Sequence, residues 1–180
     1  MRLAAALKAA AAGAAALALT GCFTSERELI GFWGADTPLQ EGVYAHWPTH
    51  PDGTEWDRET WRGAVEQTRR RYRSDVADFP HQDVRFRQIS ANIYLAQLPR
   101  TDGVGYGVAW VYEDGAVVSY HQPDCSKLSD AVRGEAGTTL DPEGFCQVDA
   151  LDQIEALMGH YLDAMGEEIV VHGVYRRVGP

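Results

Sequence analysis

The sequence is short of positive charge. Its 180 residues include 16 Lys and Arg against 26 Asp and Glu, which gives a net charge of −10 at neutral pH. After residue 22 it also has no apolar run close to the roughly 20 residues of a membrane-spanning helix. Because a broad nucleic-acid surface needs a basic patch, the acidic balance argues against a DNA or RNA partner.

The sequence also lacks the common short motifs of catalysis and cofactor binding. It contains no Gly-x-Ser-x-Gly turn and no Gly-x-x-x-x-Gly-Lys phosphate loop. His46 and His50 are four residues apart, but Pro48 and Pro51 argue against the helix that would bring both to one metal ion. The neighbouring acids follow no calcium-loop order; they are Asp52, Glu55, Asp57 and Glu59. We therefore expect a non-enzymatic protein without a metal or cofactor.

The first segment is the most distinctive part of the chain. Arg2 and Lys8 give a positive start, and residues 9–18 form an apolar run interrupted only by Gly13. This run is about half as long as a bilayer-spanning helix. A basic start followed by a short apolar run is typical of a secretory signal peptide.

That segment ends in Leu19-Thr20-Gly21-Cys22, which resembles the lipobox of bacterial lipoproteins. The resemblance implies that residues 1–21 are a signal peptide and that diacylglycerol is attached to Cys22. Cleavage before Cys22 would then free an amine that takes a further fatty acid, such as palmitate. Each methylene group buried in the bilayer contributes about 0.8 kcal/mol to the free energy of membrane binding, so two or three acyl chains hold a protein stably at the membrane.

The lipobox resemblance also implies a location and a partner. We expect a cell-envelope protein that faces the periplasm and whose Cys22 contacts membrane lipid. Aspartate after the cysteine resembles an inner-membrane retention signal of some bacteria, and this chain has Phe23 there. The absence of aspartate at this position favours the outer membrane.

Two cysteines remain once Cys22 is assigned to lipid. Cys125 and Cys146 would lie in an oxidising compartment, where a pair of cysteines predicts one disulfide. In the chain-entropy model such a bond stabilises by roughly 3 kcal/mol for a loop of this length. The alternative is a catalytic thiol at Cys125 with His121 nearby.

Most of the remaining sequence has the alternation of β-strands. Val84, Phe86 and Gln88 alternate with arginines, and residues 93–98 are rich in strand-forming side chains. Two further runs, 106–112 and 116–120, flank Glu113-Asp114-Gly115 and predict a hairpin. Shorter strands are expected at 42–47 and 169–175.

Two segments carry helical spacing. In 151–165, apolar residues recur every three or four positions, Asp149 could cap the helix and Gly166 could end it. Residues 60–79 are ambiguous, because Trp61, Ala64 and Val65 fit a helix while the later residues alternate. For 60–79 we favour two strands with a turn near Arg69-Arg70, and one helix remains the alternative.

These elements predict a mainly β fold: an antiparallel meander that forms a small barrel, half-barrel or sandwich, with one C-terminal helix before the last strand. Residues 22–40 are expected to form a lipidated tether, and residues 41–180 a single β-rich domain. Gly31-Phe32-Trp33, with the late helix and last strand, resembles the lipocalins. That resemblance implies an eight-stranded barrel that carries a small apolar ligand.

The leading functional prediction is a lipid-anchored envelope lipoprotein with a periplasmic binding or scaffolding domain. Its further partner would be an envelope protein, glycan or lipid, and the sequence names no ligand-binding residues. The first alternative is a lipocalin-like carrier. The second is a periplasmic hydrolase in which His121 and Asp124, or His46 and His50, meet a nucleophile.

Overall fold

The computed structural model describes residues 23–180, so the predicted signal peptide and Cys22 lie outside the described residues. The described chain is mainly β and mostly antiparallel, with a helix before the last strand, which confirms the predicted fold class. Its strands are β1 (Phe23–Ser25), β2 (Gly42–Pro48), β3 (Trp61–Thr68), β4 (Arg71–Arg73), β5 (Arg85–Ser90), β6 (Ile93–Arg100), β7 (Gly103–Tyr112), β8 (Val117–His121), β9 (Cys146–Gln147) and β10 (Gly173–Gly179). The helices are α1 (Asp130–Glu135) and α2 (Leu151–Met165).

Eight of these strands form a strongly curled meander. Strands β2 to β4 pair in chain order, as do β5 to β8, and β10 lies between β8 and β2. The two end strands, β4 and β5, are joined only at a single bridge between Tyr72 and Val84. The sheet is therefore open, although its two ends touch.

Strand β7 is shared by three neighbours. It pairs along its length with β6, while its first part pairs with β1 and its second part with β8. Strand β9 extends this branch by pairing in parallel with β1. The segment expected to be a tether thus contains a strand that is built into the sheet at Phe23.

The two faces of the curled sheet bury separate apolar clusters. On the outer face, α2 packs Ile154, Leu157 and Met158 against β6 and β7. On the inner face, tyrosine, tryptophan and phenylalanine side chains from β2 to β5 meet those of β8 and β10. The alternation of strand side chains assigns successive residues to opposite faces.

The predicted helix and central hairpin are confirmed with small differences. Helix α2 spans the predicted residues, but its N-cap is Ala150, not Asp149. The Gln153 side chain instead accepts a hydrogen bond from the Asp149 backbone N–H at 2.7 Å. Strands β7 and β8 form the predicted hairpin.

The ambiguous 60–79 segment forms two strands, as favoured. Strands β3 and β4 are joined at Arg69 and Arg70, which have φ of 52° and 59°. This left-handed turn is uncommon for arginine. Arg70 donates from its side chain to the Ala35 carbonyl, which holds the turn against the entering chain.

The last strand begins later than predicted, at Gly173 instead of residue 169. Its first residue lies in a crowded part of the sheet interior. A Cβ on Gly173 would lie 2.6 Å from His46 Nε2 and 2.7 Å from the Tyr120 ring. The strand therefore begins between two rings, at a residue that has no side chain.

The β7–β8 turn supplies a direct test of this packing. Gly115 has φ of 95°, and a Cβ there would lie 2.2 Å from the Pro38 carbonyl oxygen. We expect Gly115→Ala to lower the free energy of unfolding by at least about 2 kcal/mol, because both the backbone conformation and the space favour glycine. Denaturant unfolding measures the change.

The matched control is Gly134→Ala in α1, where an added Cβ meets nothing within 4 Å. Its stability should stay unchanged or rise slightly, because alanine has the higher helix propensity. Equal stabilities of the two variants would contradict the described turn.

Candidate functional site

The interior of the curled sheet contains a cavity with almost wholly apolar walls. The space that the centre of a water-sized group can occupy is about 60 Å³. The residues around it come from most strands of the meander and from two loops: Leu39, Tyr44, Val65, Tyr72, Phe79, His81, Val84, Phe86, Ala96, Leu98, Gly105, Tyr106, Gly107, Val108, Ala109, Val118, Tyr120, His121 and Tyr175. A site needs only about 10–15 Å³ in this measure to hold one water, so the cavity has room for several small groups.

Small residues on β6 and β7 leave this space open. Gly105, Gly107 and Ala109 occupy the inward positions of β7, and Ala96 faces them from β6. The outward positions of β7 carry Val104, Tyr106 and Val108, whose bulk is buried under α2. The cavity thus exists because the large side chains of β7 point outward and the small ones point inward.

The chain between β1 and β2 lies against one end of the cavity. Leu39 lines the cavity, and its backbone N–H donates to Tyr72 Oη at 2.9 Å. Tyr44 Oη donates to the Gly115 carbonyl at 2.6 Å. Burial raises the pKa of Tyr44 to about 12, so this hydroxyl stays protonated and keeps donating.

Two histidines and two tyrosines form a cluster at the cavity wall, which we call the histidine–tyrosine cluster. His46 Nε2 is 3.0 Å from Tyr120 Oη, and His46 Nδ1 is 2.9 Å from Thr60 Oγ1. His81 Nδ1 is 2.6 Å from Tyr175 Oη. The rings also stack: the His46 and Tyr175 centroids are 4.5 Å apart, and those of His81 and Tyr120 are 4.7 Å apart.

Burial makes both histidines of this cluster neutral at physiological pH. Desolvation lowers the pKa of His46 to about 4 and that of His81 to about 3, with a smaller lowering of His81 by His46. The same loss of water raises the pKa of Tyr120 and of Tyr175. The cluster therefore offers hydrogen bonds but no charge.

One nitrogen of the cluster has no partner. His81 keeps a partly exposed edge, but its Nε2 atom is buried and makes no hydrogen bond with the described residues. The Nε1 atom of the nearby Trp61 is also buried and makes no hydrogen bond with the described residues. Buried polar atoms are nearly always hydrogen-bonded, so two unbonded nitrogens close together are unusual.

The histidines singled out in the sequence lie apart from one another or are bonded to other protein groups. His46 is buried in the cluster, while His50 stacks on Trp56 at a centroid distance of 5.8 Å. His121 is bonded at both ring nitrogens, by Val170 O at 2.7 Å and Tyr161 Oη at 2.9 Å. Within residues 23–180, no three His, Cys, Asp or Glu side chains lie close enough to hold a metal ion.

The two remaining cysteines lie together, as predicted. Cys125 and Cys146 are at disulfide distance, with their Cα atoms 6.1 Å apart. Both are fully buried in the outer cluster beneath α2, on the face of the sheet opposite to the cavity. This position favours a structural pair over a catalytic thiol at Cys125.

The sequence identified none of the cavity residues as ligand-binding: His121 was considered only for catalysis, and His81 had no motif around it. The usable signal was the alternation in β7, where Gly105, Gly107 and Ala109 share one face. Small residues on one face of an otherwise bulky strand indicate either close packing or space for a ligand.

Comparison with known proteins leaves the site to be interpreted on its own geometry. No known family, no curated protein and no solved structure matches the chain. In the part of the chain that the structure describes, no helix is long and apolar enough to cross a membrane.

The neutral histidines lead to a pH prediction. The ordinary histidine pKa is 6.5, and the folded values of His46 and His81 are lower, about 4 and about 3, so the unfolded chain binds more protons between about pH 6.5 and 3. Stability from these two residues is therefore present above pH 6.5 and lost as the pH falls. NMR titration of the imidazole carbons should give midpoints below 5 for both residues. Midpoints near 6.5 would show that the cluster is hydrated, not buried.

Proposed function

We propose that this protein is a lipid-anchored lipoprotein of the bacterial cell envelope whose periplasmic domain binds a small apolar ligand inside the curled sheet. The observation that carries the binding proposal is the apolar cavity of about 60 Å³. The interior of a closed eight-stranded barrel is just wide enough for side chains or one small ligand. This sheet is open, with its end strands joined at one bridge. Here Gly105, Gly107 and Ala109 leave part of that width unfilled.

The meander of eight strands and the helix before the last strand follow the element order expected of a lipocalin-type carrier, but the sheet is open where that resemblance implies a closed barrel. A scaffold needs an outer surface, whereas the distinctive feature of this domain is internal. The cavity has room for about five water-sized groups, which suits a small ligand or the end of a larger molecule. At the ceiling of about 1.5 kcal/mol per atom, such a ligand binds with micromolar affinity at best.

The start of the domain bears on the anchoring proposal. Phe23 is fully buried and pairs with Tyr106 and Cys146 in the sheet. If Cys22 is acylated, the folded domain begins at the next residue, and the domain is held directly at the bilayer surface. The lipobox-like Leu19-Thr20-Gly21-Cys22 supports acylation, and Phe23 in place of aspartate favours the outer membrane.

A hydrolase receives less support. The ring nitrogens of His46 and His121 are already bonded to tyrosine hydroxyls and to other protein groups. Asp124 accepts hydrogen bonds from Ser126, whose N–H and hydroxyl it binds at 2.9 and 2.6 Å. This is the geometry of a turn cap, not of a base oriented toward a nucleophile.

The anchoring proposal is tested on the protein made in its full-length form in a bacterial host. Mass spectrometry of the mature N-terminus should find an acylated Cys22, and Cys22→Ser should release the domain from the membrane fraction. An unmodified cysteine at the N-terminus, or a Cys22→Ser protein that stays in the membrane, would overturn it.

The binding proposal is tested with pentane as the probe and two variants of opposite effect. Ala109→Val adds two methyl groups to the cavity wall and should weaken pentane binding at least tenfold. Val65→Ala removes two methyl groups and should keep or strengthen binding, at a stability cost of about 2 kcal/mol. NMR titration measures the dissociation constants.

The two variants control for each other, because both alter buried side chains of the same cavity in opposite directions. Pentane binding that is equal in Ala109→Val and the wild type would place any binding site elsewhere. The absence of pentane binding in both the wild type and Val65→Ala would overturn the ligand-binding proposal.

A further inference from the structure

The segment between β1 and β2 holds two aromatic side chains out of the fold. Trp33 is 88% exposed and Phe32 is 42% exposed, and their rings meet edge to face with centroids 5.0 Å apart. We call residues 31–34, which include both rings, the aromatic tip. Single exposed apolar side chains are ordinary, but two large ones side by side form a patch of the kind that marks a contact surface.

The fold itself keeps the aromatic tip exposed. Ile30, directly before it, is fully buried, and its backbone N–H donates to Gln97 Oε1 at 2.6 Å. Ala35, directly after it, is also buried. Within the tip, the Gly34 N–H donates to the Gly31 carbonyl at 3.2 Å. The two rings are therefore held at the surface by ordered chain on both sides.

Arginine side chains contact the aromatic tip from two neighbouring elements. The Arg70 guanidinium, from the β3–β4 turn, lies over the Phe32 ring at 5.5 Å from its centroid. The Arg87 side chain, from β5, donates to the Gly34 carbonyl at 3.3 Å and is paired with Glu155 at 3.1 Å. The apolar patch is thus bordered by basic groups.

Part of this positive charge is not balanced by acids. The single carboxylate of Glu28 faces two guanidinium groups, those of Arg71 at 2.7 Å and Arg85 at 2.9 Å. Within residues 23–180, Arg69 and Arg70 form no ion pair. Arg69 is also exposed. A locally basic surface therefore surrounds the tip, although the chain as a whole has a net charge of −10.

A bilayer with anionic headgroups fits this combination of groups. Tryptophan favours the boundary between headgroups and acyl chains, because it joins a large apolar body to one polar N–H. Basic side chains close to a bilayer are attracted to anionic headgroups. The first acid after the tip, Asp36, accepts the Gln88 N–H at 2.7 Å, so its carboxylate is held against β5.

A protein partner fits the aromatic tip less well. A stable protein–protein interface buries about 800 Å² of each partner, which is far more than two side chains expose. Insertion of one or two aromatic rings into a bilayer needs no such matching area.

We infer that the aromatic tip, with the arginines beside it, rests on an anionic bilayer surface and sets the orientation of the domain on the membrane. This inference rests on the lipid anchoring proposed above, because two side chains alone bind a bilayer weakly. An acylated Cys22 would keep the domain at the bilayer, where a weak contact is enough to orient it. Phe23 and Ile30 both lie in the outer cluster, so the chain from the anchor to the tip follows the outer face of the sheet.

The test uses the mature lipidated protein in vesicles of phosphatidylcholine and phosphatidylglycerol, with brominated acyl chains on the phosphatidylcholine. Bromine quenches tryptophan fluorescence only at close approach, so quenching reports a ring within the bilayer. Trp33→Phe should reduce the quenched fraction of the emission at least threefold. The variant should fold normally, because the ring that it replaces is exposed.

The matched control is Trp56→Phe in the β2–β3 loop, where a half-buried tryptophan stacks on His50. Its quenching should equal that of the wild type. Equal quenching in Trp33→Phe and the wild type would overturn the inference, and this is also the result expected if the tip docks on another envelope protein.

A charge reversal tests the role of the headgroups. With phosphatidylglycerol present, Arg69→Glu should reduce the quenching of Trp33 at least twofold, and in pure phosphatidylcholine it should have no effect. Arg58→Glu reverses an exposed charge in the β2–β3 loop and should leave the quenching unchanged in both kinds of vesicle. Equal effects of the two variants would overturn the assignment of an anionic surface.

Flotation with the vesicles separates this inference from the anchoring proposal. Protein that floats with an acylated Cys22, but whose Trp33 is not quenched, would overturn the orientation alone. Protein that does not float would overturn both, because neither the anchor nor the tip then holds the domain at the bilayer.

Discussion

Strand β7 contributes large side chains to one face of the sheet and almost none to the other. Its outward residues Val104, Tyr106 and Val108 pack beneath α2, and its inward residues Gly105, Gly107 and Ala109 border the cavity. Because neighbouring strand residues point to opposite faces, a shift of the register by one residue would place the large groups inside and the small ones under the helix. The outer core and the inner space thus depend on the same pairing of β7 with β6 and β8.

Tyrosine hydroxyls hold the rest of the interior in place. Tyr72 bonds both the N–H and the carbonyl of Leu39, and Tyr44 bonds the carbonyls of Gln40 and Gly115. These bonds fix the chain before β2 near the junction where β4 and β5 share a single bridge. The junction itself is crossed by the Tyr72 ring, whose centroid lies 5.6 Å from that of Phe86 on β5.

Local patterns predicted the elements well, because their signals lie within a few residues. The Glu113-Asp114-Gly115 turn between two apolar runs defined the β7–β8 hairpin, and the 151–165 stripe defined α2. The start of β10 was predicted four residues too early, and the rings of His46 and Tyr120 that crowd Gly173 come from strands distant in the sequence. No local rule contains that contact.

The candidate site was much less predictable. Its histidine–tyrosine cluster joins residues from β2, β8, β10 and a loop, and neither His81 nor Tyr175 is part of any motif. His46 was noted only together with His50, as a metal or hydrolase pair, and the structure separates the two. The alternation of β7 was visible, but its meaning required knowing which face of the sheet the helix covers.

A crystal of the domain pressurised with xenon would show directly whether the interior is open to a ligand, because xenon enters dry apolar cavities. We expect one xenon atom inside the curled sheet, close to Gly105, Gly107 and Ala109, with no change in the fold. Ordered water filling that space, or side chains occupying it so that xenon does not enter, would contradict the proposal that the interior is a ligand site.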